Sequence, residues 1–391
     1  MKIIHMADSH LGFSAYGRVD ERGRNLREER IYQGFDKTID KIIELRPDAV
    51  VHAGDVFHHV RPRIKPLYVF KRALERLQVE GIPVIIISGN HDAPKNRISY
   101  SPFTLYETKD EGRKIRGEEP VKIAHRYKYE SFEVGDQVFH CIPFCLNPDD
   151  YHKEFAKISF TGRDVLVMHG LIEALWHRRL RTVGEYELRE SFLKRDFSYI
   201  ALGHYHSQDQ VAQNAWYSGS VEYFKFSEAR DNKGILLVDL DIGSVKQVKI
   251  QEQYMLDPDP IDCDGLSSEQ VLKSLIGHCE EWGIDEKIVR IKLKDVSREA
   301  YRRVDPKVIG EIKRRALHLE LLPEFKEEKC KWEAKSMDAA QIPQEFKRFV
   351  ELEGSKHTIP ETIKEDVASY GTDLMTRISE KRTTESLDAS Q

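Results

Sequence analysis

Short apolar runs recur along the first half of the chain, each closing on a small polar cluster, with stretches of helical period between the first of them. Lys2 to Ala7 is the first run, read as a strand, and it leads at once into Asp8-Ser9-His10. Ile31, Phe35, Ile39 and Ile42 then share one face at 3.6-residue spacing, which predicts a helix whose end Pro47 marks. Ala49 to Ala53 is a second strand, running into Gly54-Asp55-Val56-Phe57-His58. Leu67, Phe70, Leu74 and Leu77 predict a second helix, after which Pro83 to Ser88 forms a third strand that empties into Gly89-Asn90-His91-Asp92. Val165 to Met168 ends in His169-Gly170, and Tyr199 to Leu202 ends in Gly203-His204-Tyr205-His206. The alternation predicts an α/β fold, with these five strands in one mostly parallel sheet and helices packed on it. Ile235 to Leu240 and Val245 to Ile250 predict a further pair of strands joined by a turn at Asp241-Ile242-Gly243-Ser244.

The pattern changes at Asp257-Pro258-Asp259-Pro260, a linker that closes a first domain over 1–256. Ser267 and Gln270 have the spacing of a capping box and open a helix through Val271, Leu272, Leu275 and Ile276. Val289, Ile291 and Leu293 alternate with Arg290, Lys292 and Lys294, a strand with one apolar face; Asp305-Pro306 caps a helix through Ile309 and Ile312, and Leu319 and Leu321 suggest another strand. These make a small α+β domain over 257–335. Two amphipathic helices fill 336–379, one from Pro343 to Leu352 with Phe346, Phe349 and Val350, the other from Pro360 with Ile363, Val367, Leu374 and Ile378. Two such helices cannot bury their apolar faces against each other alone, so docking on a partner is expected over an independent domain, with folding back on the α+β domain as the alternative. The polar tail 380–391 is expected to be disordered.

Composition narrows the picture modestly. The chain has 391 residues, 32% of them charged, and a formal net charge of −5, so nucleic-acid binding has to rest on local patches. Two basic stretches lie beside the polar clusters: Arg61-Pro62-Arg63-Ile64-Lys65 after His58, and Trp176-His177-Arg178-Arg179-Leu180-Arg181 after His169. No run approaches the length of a membrane span, and a first strand that starts without a basic leader points to a soluble, cytoplasmic protein. The 5 cysteines follow no paired-ligand spacing, which excludes a zinc ribbon or disulfide framework; Cys141 and Cys145 read as buried thiols.

The polar clusters carry the chemistry. Asp8 and His10, Asp55, Asn90 with His91, His169, and His204 with His206 all follow strand ends, the edge at which α/β folds build sites. Any one of them alone reads more readily as a surface or capping residue. Together they offer more oxygen and nitrogen ligands than one ion needs, and suit two divalent ions that share a carboxylate.

The ordered motifs D-x-H, G-D, G-N-H-[DE], H and G-H-x-H resemble those of the calcineurin-like metallophosphoesterases. Within them, Gly54-Asp55-Val56-Phe57-His58 is similar to the SbcD-type double-strand-break repair nucleases, the prokaryotic counterpart of the eukaryotic meiotic recombination nuclease. The resemblance implies a β-sandwich flanked by helices, a small α+β capping domain and a C-terminal helix-loop-helix. It also implies roles. Asp8, His10 and His206 would hold one metal, Asn90, His169 and His204 the second, and Asp55 would bridge them. His91 would touch the scissile phosphate and protonate the leaving oxygen, and His58 would support His91 or meet the DNA backbone. Arg61, Arg63, Lys65, Arg178, Arg179 and Arg181 are the DNA-binding candidates.

The implied cofactor is two Mn²⁺ per subunit, with Mg²⁺, Zn²⁺ or Fe²⁺ able to occupy the same ligands in vitro. The implied activity is a 3′→5′ exonuclease on double-stranded DNA and an endonuclease on single strands, associated with the nucleoid. The implied partner is a coiled-coil ATPase of the SbcC or SMC-like type, bound by the C-terminal helices. A homodimer through the helix after strand two and the segment Ile98 to Tyr106 would make a heterotetramer with that ATPase. Two other readings stay open: a phosphomonoesterase or cyclic-nucleotide phosphodiesterase with the same metals, and a non-catalytic scaffold.

Overall fold

A computed structural model describes all residues except 97, 108–120, 176–186, 195–196, 327–340, 357–358 and 389–391. The chain runs from β1 (Lys2–Met6) through α1 (Leu26–Leu45) to β2 (Ala49–His52), and through α2 (Ile64–Val79) to β3 (Val84–Ile87). Next come β4 (Val121–Ala124), the hairpin of β5 (Glu130–Val134) and β6 (Gln137–Ile142), α3 (Pro148–Phe155) and β7 (Asp164–His169). A short pair, β8 (Leu171–Ile172) and β9 (Glu187–Leu188), precedes β10 (Tyr199–Gly203). The core closes with β11 (Asp209–Ala212), β12 (Ala215–Tyr217), β13 (Gly234–Asp239) and β14 (Ser244–Lys249).

The five strands that end in polar clusters belong to two sheets, not one. One sheet has the order β14-β13-β1-β2-β3-β4, the other β11-β12-β10-β7-β6-β5. The first is parallel from β1 to β4, and the second is parallel across β6, β7, β10 and β12. Side chains alternate across each strand, and here both faces are covered, so the runs read as continuous apolar sequence. Ile3, Ala49, Val51, Ile85 and Ile87 of the first sheet pack with Phe139, Cys141, Val165, Val167, Tyr199 and Ala201 of the second, forming the core between them. The intervening residues Ile4, Met6, Val50 and Ile86 pack instead on Ile31, Phe35, Ile39 and Ile42 of α1 and Phe70, Leu74 and Leu77 of α2. On the far side, Leu166, Met168, Ile200 and Leu202 pack on Tyr151 and Phe155 of α3. Helices thus cover a β-sandwich, and a run apolar on both faces carries no signal of which sheet it enters. β4 and β5 escape the sequence pattern, because they are edge strands with half-buried, mixed residues.

The α+β part is a small sheet built on β17 (Ile288–Val296), which pairs in parallel with β15 (Met255–Leu256), β16 (Ile261–Asp262) and β18 (His318–Phe325). Asp257-Pro258-Asp259-Pro260 therefore joins two strands of this sheet instead of leading into it. The helix α4 (Ser268–Trp282) has both halves of the Ser267/Gln270 capping box, α5 (Arg298–Arg302) is one turn, and α6 (Pro306–Arg315) is capped by Asp305. Val271, Leu275, Val289, Ile291, Leu293, Ile312 and Leu319 form its core.

Met1–Lys326 is one compact unit and Glu327–Gln391 another. In the second, α7 (Ile342–Lys356) runs through Gly354, and α8 (Glu361–Asp388) continues beyond 379, where a disordered tail was expected. The two helices meet where a Cβ on Gly371 would overlap the ring of Phe346. Phe349, Leu352, Ile363, Val367, Tyr370 and Leu374 stay exposed. Among the described residues, no helix is long and apolar enough to cross a membrane. Cys141, Cys145, Cys263 and Cys279 are buried.

Candidate metal centre

All seven predicted ligands come together at the carboxyl ends of β1, β2, β3, β7 and β10. Asp8 and His10 follow β1, Asp55 follows β2, Asn90 follows β3, His169 closes β7, and His204 and His206 follow β10. Within each sheet the strand ends are level, Gly203 opposite His169 in one and Asp8 N donating to Gly54 O at 3.0 Å in the other, and His169 Nδ1 meets Ala53 O at 2.8 Å from one sheet to the other. Asp8, His10, Asp55 and His204 all adopt positive φ, of 52°, 42°, 55° and 98°. Such residues cost on the order of 1–3 kcal/mol each and persist where packing and hydrogen bonds over-determine them.

Two glycines allow the close approach. A Cβ on Gly203 would overlap Ala53 O and stand 2.9 Å from His169 Nδ1; one on Gly89 would overlap Asp55 Oδ1 and stand 2.7 Å from Asp55 Cγ. Asp92, fully buried, accepts from Gly89 N at 2.7 Å and Val56 N at 2.6 Å, tying the third ligand loop to the second.

The donor atoms form two neighbouring groups. Asn90 Oδ1 lies 3.0 Å from His169 Nε2 and 3.0 Å from His204 Nδ1. His10 Nε2 lies 3.2 Å from His206 Nε2, with Asp8 completing the cluster. Asp55 Oδ2 stands between the groups, 3.7 Å from His10 Nε2 and 3.5 Å from His169 Nε2, the position of a shared ligand. Ring orientations are set from behind. His169 Nδ1 donates to Ala53 O at 2.8 Å and His206 Nδ1 donates to Glu228 Oε1 at 2.9 Å, which leaves Nε2 of each ring bare toward the centre.

The electrostatics fit divalent cations. Asp8 is buried, its Oδ2 accepts from His204 N at 2.9 Å, and its Oδ1 has no hydrogen-bond partner among the described residues. An orphaned buried carboxylate oxygen is costly unless a cation satisfies it. Burial pushes the Asp8 carboxyl up to about 6, against the pull of His169 and His206. Burial also works against Asp55, but the charge and hydrogen bond of His169, with His10, outweigh it and hold this carboxylate well below its ordinary value. His169 shows the reciprocal effect: burial lowers it, yet the Asp55 field prevails and raises it to about 9. The Asp55 carboxylate thus stabilises positive charge beside it. The nitrogen and oxygen donor set suits Mn²⁺, Fe²⁺ or Zn²⁺.

His91 and His58 stand next to this cluster. His91 N donates to Asp55 Oδ1 at 2.8 Å, and His91 Nδ1 donates to the backbone carbonyl of His58 at 3.0 Å. The two rings stack with centroids 5.1 Å apart, and the His58 and His10 Nδ1 atoms are 3.3 Å apart. Burial lowers His58 to about 4, with His91 and His59 adding to the effect. His59 is exposed.

The basic candidates divide. Arg63 lies 3.9 Å from Glu28, and Lys65 is ion-paired with Glu29, both partners on α1; Arg61 is exposed on the same loop. Arg178, Arg179 and Arg181 lie outside the described residues.

Sequence reasoning missed Glu228, Lys233 and Phe224. Phe224 packs edge-on against His10, with ring centroids 4.9 Å apart, and tilted against His206 at 5.2 Å. All three follow β12 in a loop without periodicity, and no motif spacing connects them with His206.

The family model for calcineurin-like phosphoesterases matches residues 1–222. The DNA double-strand break repair protein Mre11 of Methanocaldococcus jannaschii is 30% identical over 276 residues, covering 64% of this chain and 67% of that protein. The Mre11 proteins of Methanococcus maripaludis and Sulfolobus acidocaldarius are each 29% identical, over 275 and 294 residues, covering 66% and 72% of this chain and 69% and 71% of theirs. With its motifs, its sandwich and these relatives in agreement, the chain belongs to the calcineurin-like phosphoesterase family, in the branch that holds the Mre11 and SbcD-type proteins.

Proposed function

We propose that this chain is a manganese-dependent DNA nuclease of double-strand-break repair, acting as a 3′→5′ exonuclease on duplex ends and an endonuclease on single strands. One observation carries the reading: seven donor side chains converge with Asp55 between two groups, and His91 stands beside that carboxylate. Asp8, His10 and His206 would hold one ion, Asn90, His169 and His204 the other, and Asp55 both. Bound there, two divalent ions supply charge to neutralise a phosphodiester and lower the pKa of water.

The chain's own residues do the rest. His91 Nδ1 is fixed on the His58 carbonyl, so Nε2 is the atom left to meet the scissile phosphate, and in the imidazolium form it donates a proton to the leaving oxygen. His58 acts as the support of His91 through its carbonyl and its ring. Asn90 supplies a neutral oxygen, so only two ligand carboxylates oppose two dications and net positive charge remains for the substrate. Arg61, Arg63 and Lys65, with Arg178, Arg179 and Arg181, would track the DNA backbone.

The relatives are named for double-strand break repair, which supports DNA as substrate over a phosphomonoester. The exposed apolar side chains of α7 and α8 fit docking on the coiled-coil base of an SbcC or SMC-like ATPase. Ile64 and Tyr68 on α2 are exposed, as are Ile98, Tyr100 and Leu105 in the segment that Tyr106 ties to Leu67 O at 2.8 Å; this favours a homodimer through that surface, and a heterotetramer with the ATPase. The protein would work in the cytoplasm on nucleoid DNA.

The test pairs plasmid and linear DNA with p-nitrophenyl phosphate, each with Mn²⁺, for the full chain and His91→Asn. DNA cleavage should fall by about 100-fold or more in the variant, while manganese content and DNA binding are retained. Substantial residual cleavage would remove His91 from its role. Hydrolysis of the small phosphomonoester with intact DNA would favour the phosphatase reading.

A further inference from the structure

Behind His206 lies a buried charged cluster that belongs neither to the ligand set nor to the catalytic pair. Glu228, 5% exposed, closes the short helical turn Phe226–Glu228. Its Oε1 accepts from His206 Nδ1 at 2.9 Å, and its Oε2 accepts from Phe224 N at 2.9 Å and from Lys233 Nζ at 2.9 Å. Lys233 is fully buried. Its ammonium also donates to His206 O at 2.9 Å and Ser220 Oγ at 3.0 Å, with Asp231 Oδ2 at 3.3 Å, and that carboxylate oxygen accepts from Ser207 Oγ at 2.7 Å.

His206 is therefore gripped twice, by Glu228 at its ring and by Lys233 at its backbone carbonyl. Dehydrating an ammonium costs several kcal/mol, which is recovered only with good geometry and a full set of acceptors. Here the acceptors all belong to Glu228, to Ser220 and Asp231, or to His206 itself. A carboxylate that accepts from Nδ1 keeps the proton on that nitrogen, leaves Nε2 bare and raises its basicity as a ligand. His169, in the other group, is held by a neutral backbone carbonyl instead. The two halves of the centre thus rest on different supports.

We propose that Glu228, held by Lys233, is the positioning residue that makes His206 a metal ligand, so that the ion shared by Asp8, His10 and His206 is bound tightly only while this buried pair is intact. The inference rests on the two-metal reading of the site. It assigns a role to residues 22 and 27 positions beyond His206.

Calorimetric titration of the full chain with Mn²⁺, with bound manganese counted by mass spectrometry and no DNA present, tests it. Glu228→Gln keeps the shape and should weaken one of the two sites by about 10–100-fold while leaving the other unchanged. In a His206→Ala background the same substitution should add nothing. Equal weakening of both sites, no weakening of either, or a further loss on top of His206→Ala would overturn the proposal. If Glu228→Gln does not fold, Glu228→Asp withdraws the carboxylate by one methylene and is read by the same outcomes. An unaltered chain that binds no manganese would instead overturn the two-metal reading.

Discussion

Gly203→Ala adds one methyl group at the point where the two sheets meet, and the structure fixes how much room there is. A Cβ there would overlap Ala53 O, with the Ala53 carbonyl carbon at 3.0 Å and His169 Nδ1 at 2.9 Å. Neither neighbour can retreat freely. Ala53 N donates to Met6 O at 2.8 Å, and Ala53 O accepts from His169 Nδ1 at 2.8 Å. Overpacking of this kind costs about 1–3 kcal/mol, and loss of the His169 hydrogen bond adds about 1 kcal/mol. The expected destabilisation is about 2–4 kcal/mol. His169 would also lose the hydrogen bond that orients it, so on the proposed assignment the affinity of the site it would share with Asn90 and His204 should fall by about 10–100-fold. Urea unfolding in excess chelator isolates the first effect, and Mn²⁺ titration of the folded variant reads the second. A shift below about 0.5 kcal/mol with unchanged manganese affinity would refute the claim that close approach fixes this glycine.

Other substitutions test separate parts of the molecule. Arg27, fully buried, lies 3.7 Å from the buried Glu222 and donates to Tyr254 OH at 2.9 Å, so Arg27→Met should cost about 3–5 kcal/mol in urea unfolding; adding Glu222→Gln should restore part of it, and a double variant worse than the single would contradict the pairing. Asp164 is buried but accepts from His140 Nε2 at 2.8 Å and Gly162 N at 2.7 Å; burial works against its charge, the His140 and Thr161 hydrogen bonds prevail, and its carboxyl is held below the ordinary 3.8. Its stabilisation is therefore present above that pH and lost as pH falls below it, so Asp164→Asn should lower stability at neutral pH and flatten this acid loss; an unchanged acid profile would count against it. Neutralising Arg178, Arg179 and Arg181 together should weaken DNA binding and reduce the slope of log K against log salt by about 0.9 for each phosphate no longer neutralised, whereas an unchanged slope would remove them from the DNA path.

The sequence made the candidate ligands legible because each is local to a strand end. An apolar run ending in Gly-Asp, Gly-Asn-His or Gly-His-x-His is a complete signal within a few residues, and so are the faces of α1 and α2 on the first sheet, whereas α3 on the second sheet escapes that reading. The supports of those ligands were not legible, since Ala53 offers only a backbone oxygen and Glu228 and Lys233 sit in an aperiodic loop.

By itself the sequence determined which side chains could bind metal, because donor chemistry and the strand-to-loop transition are properties of short segments. The tertiary structure decided how they are shared. Strands buried on both faces carry no mark of the sheet they join, and only the meeting of two sheets sets His10 against His206, 196 residues away, and puts Asp55 between the two groups. That sharing depends on long-range packing and on buried partners for each ring, neither of which any local pattern encodes.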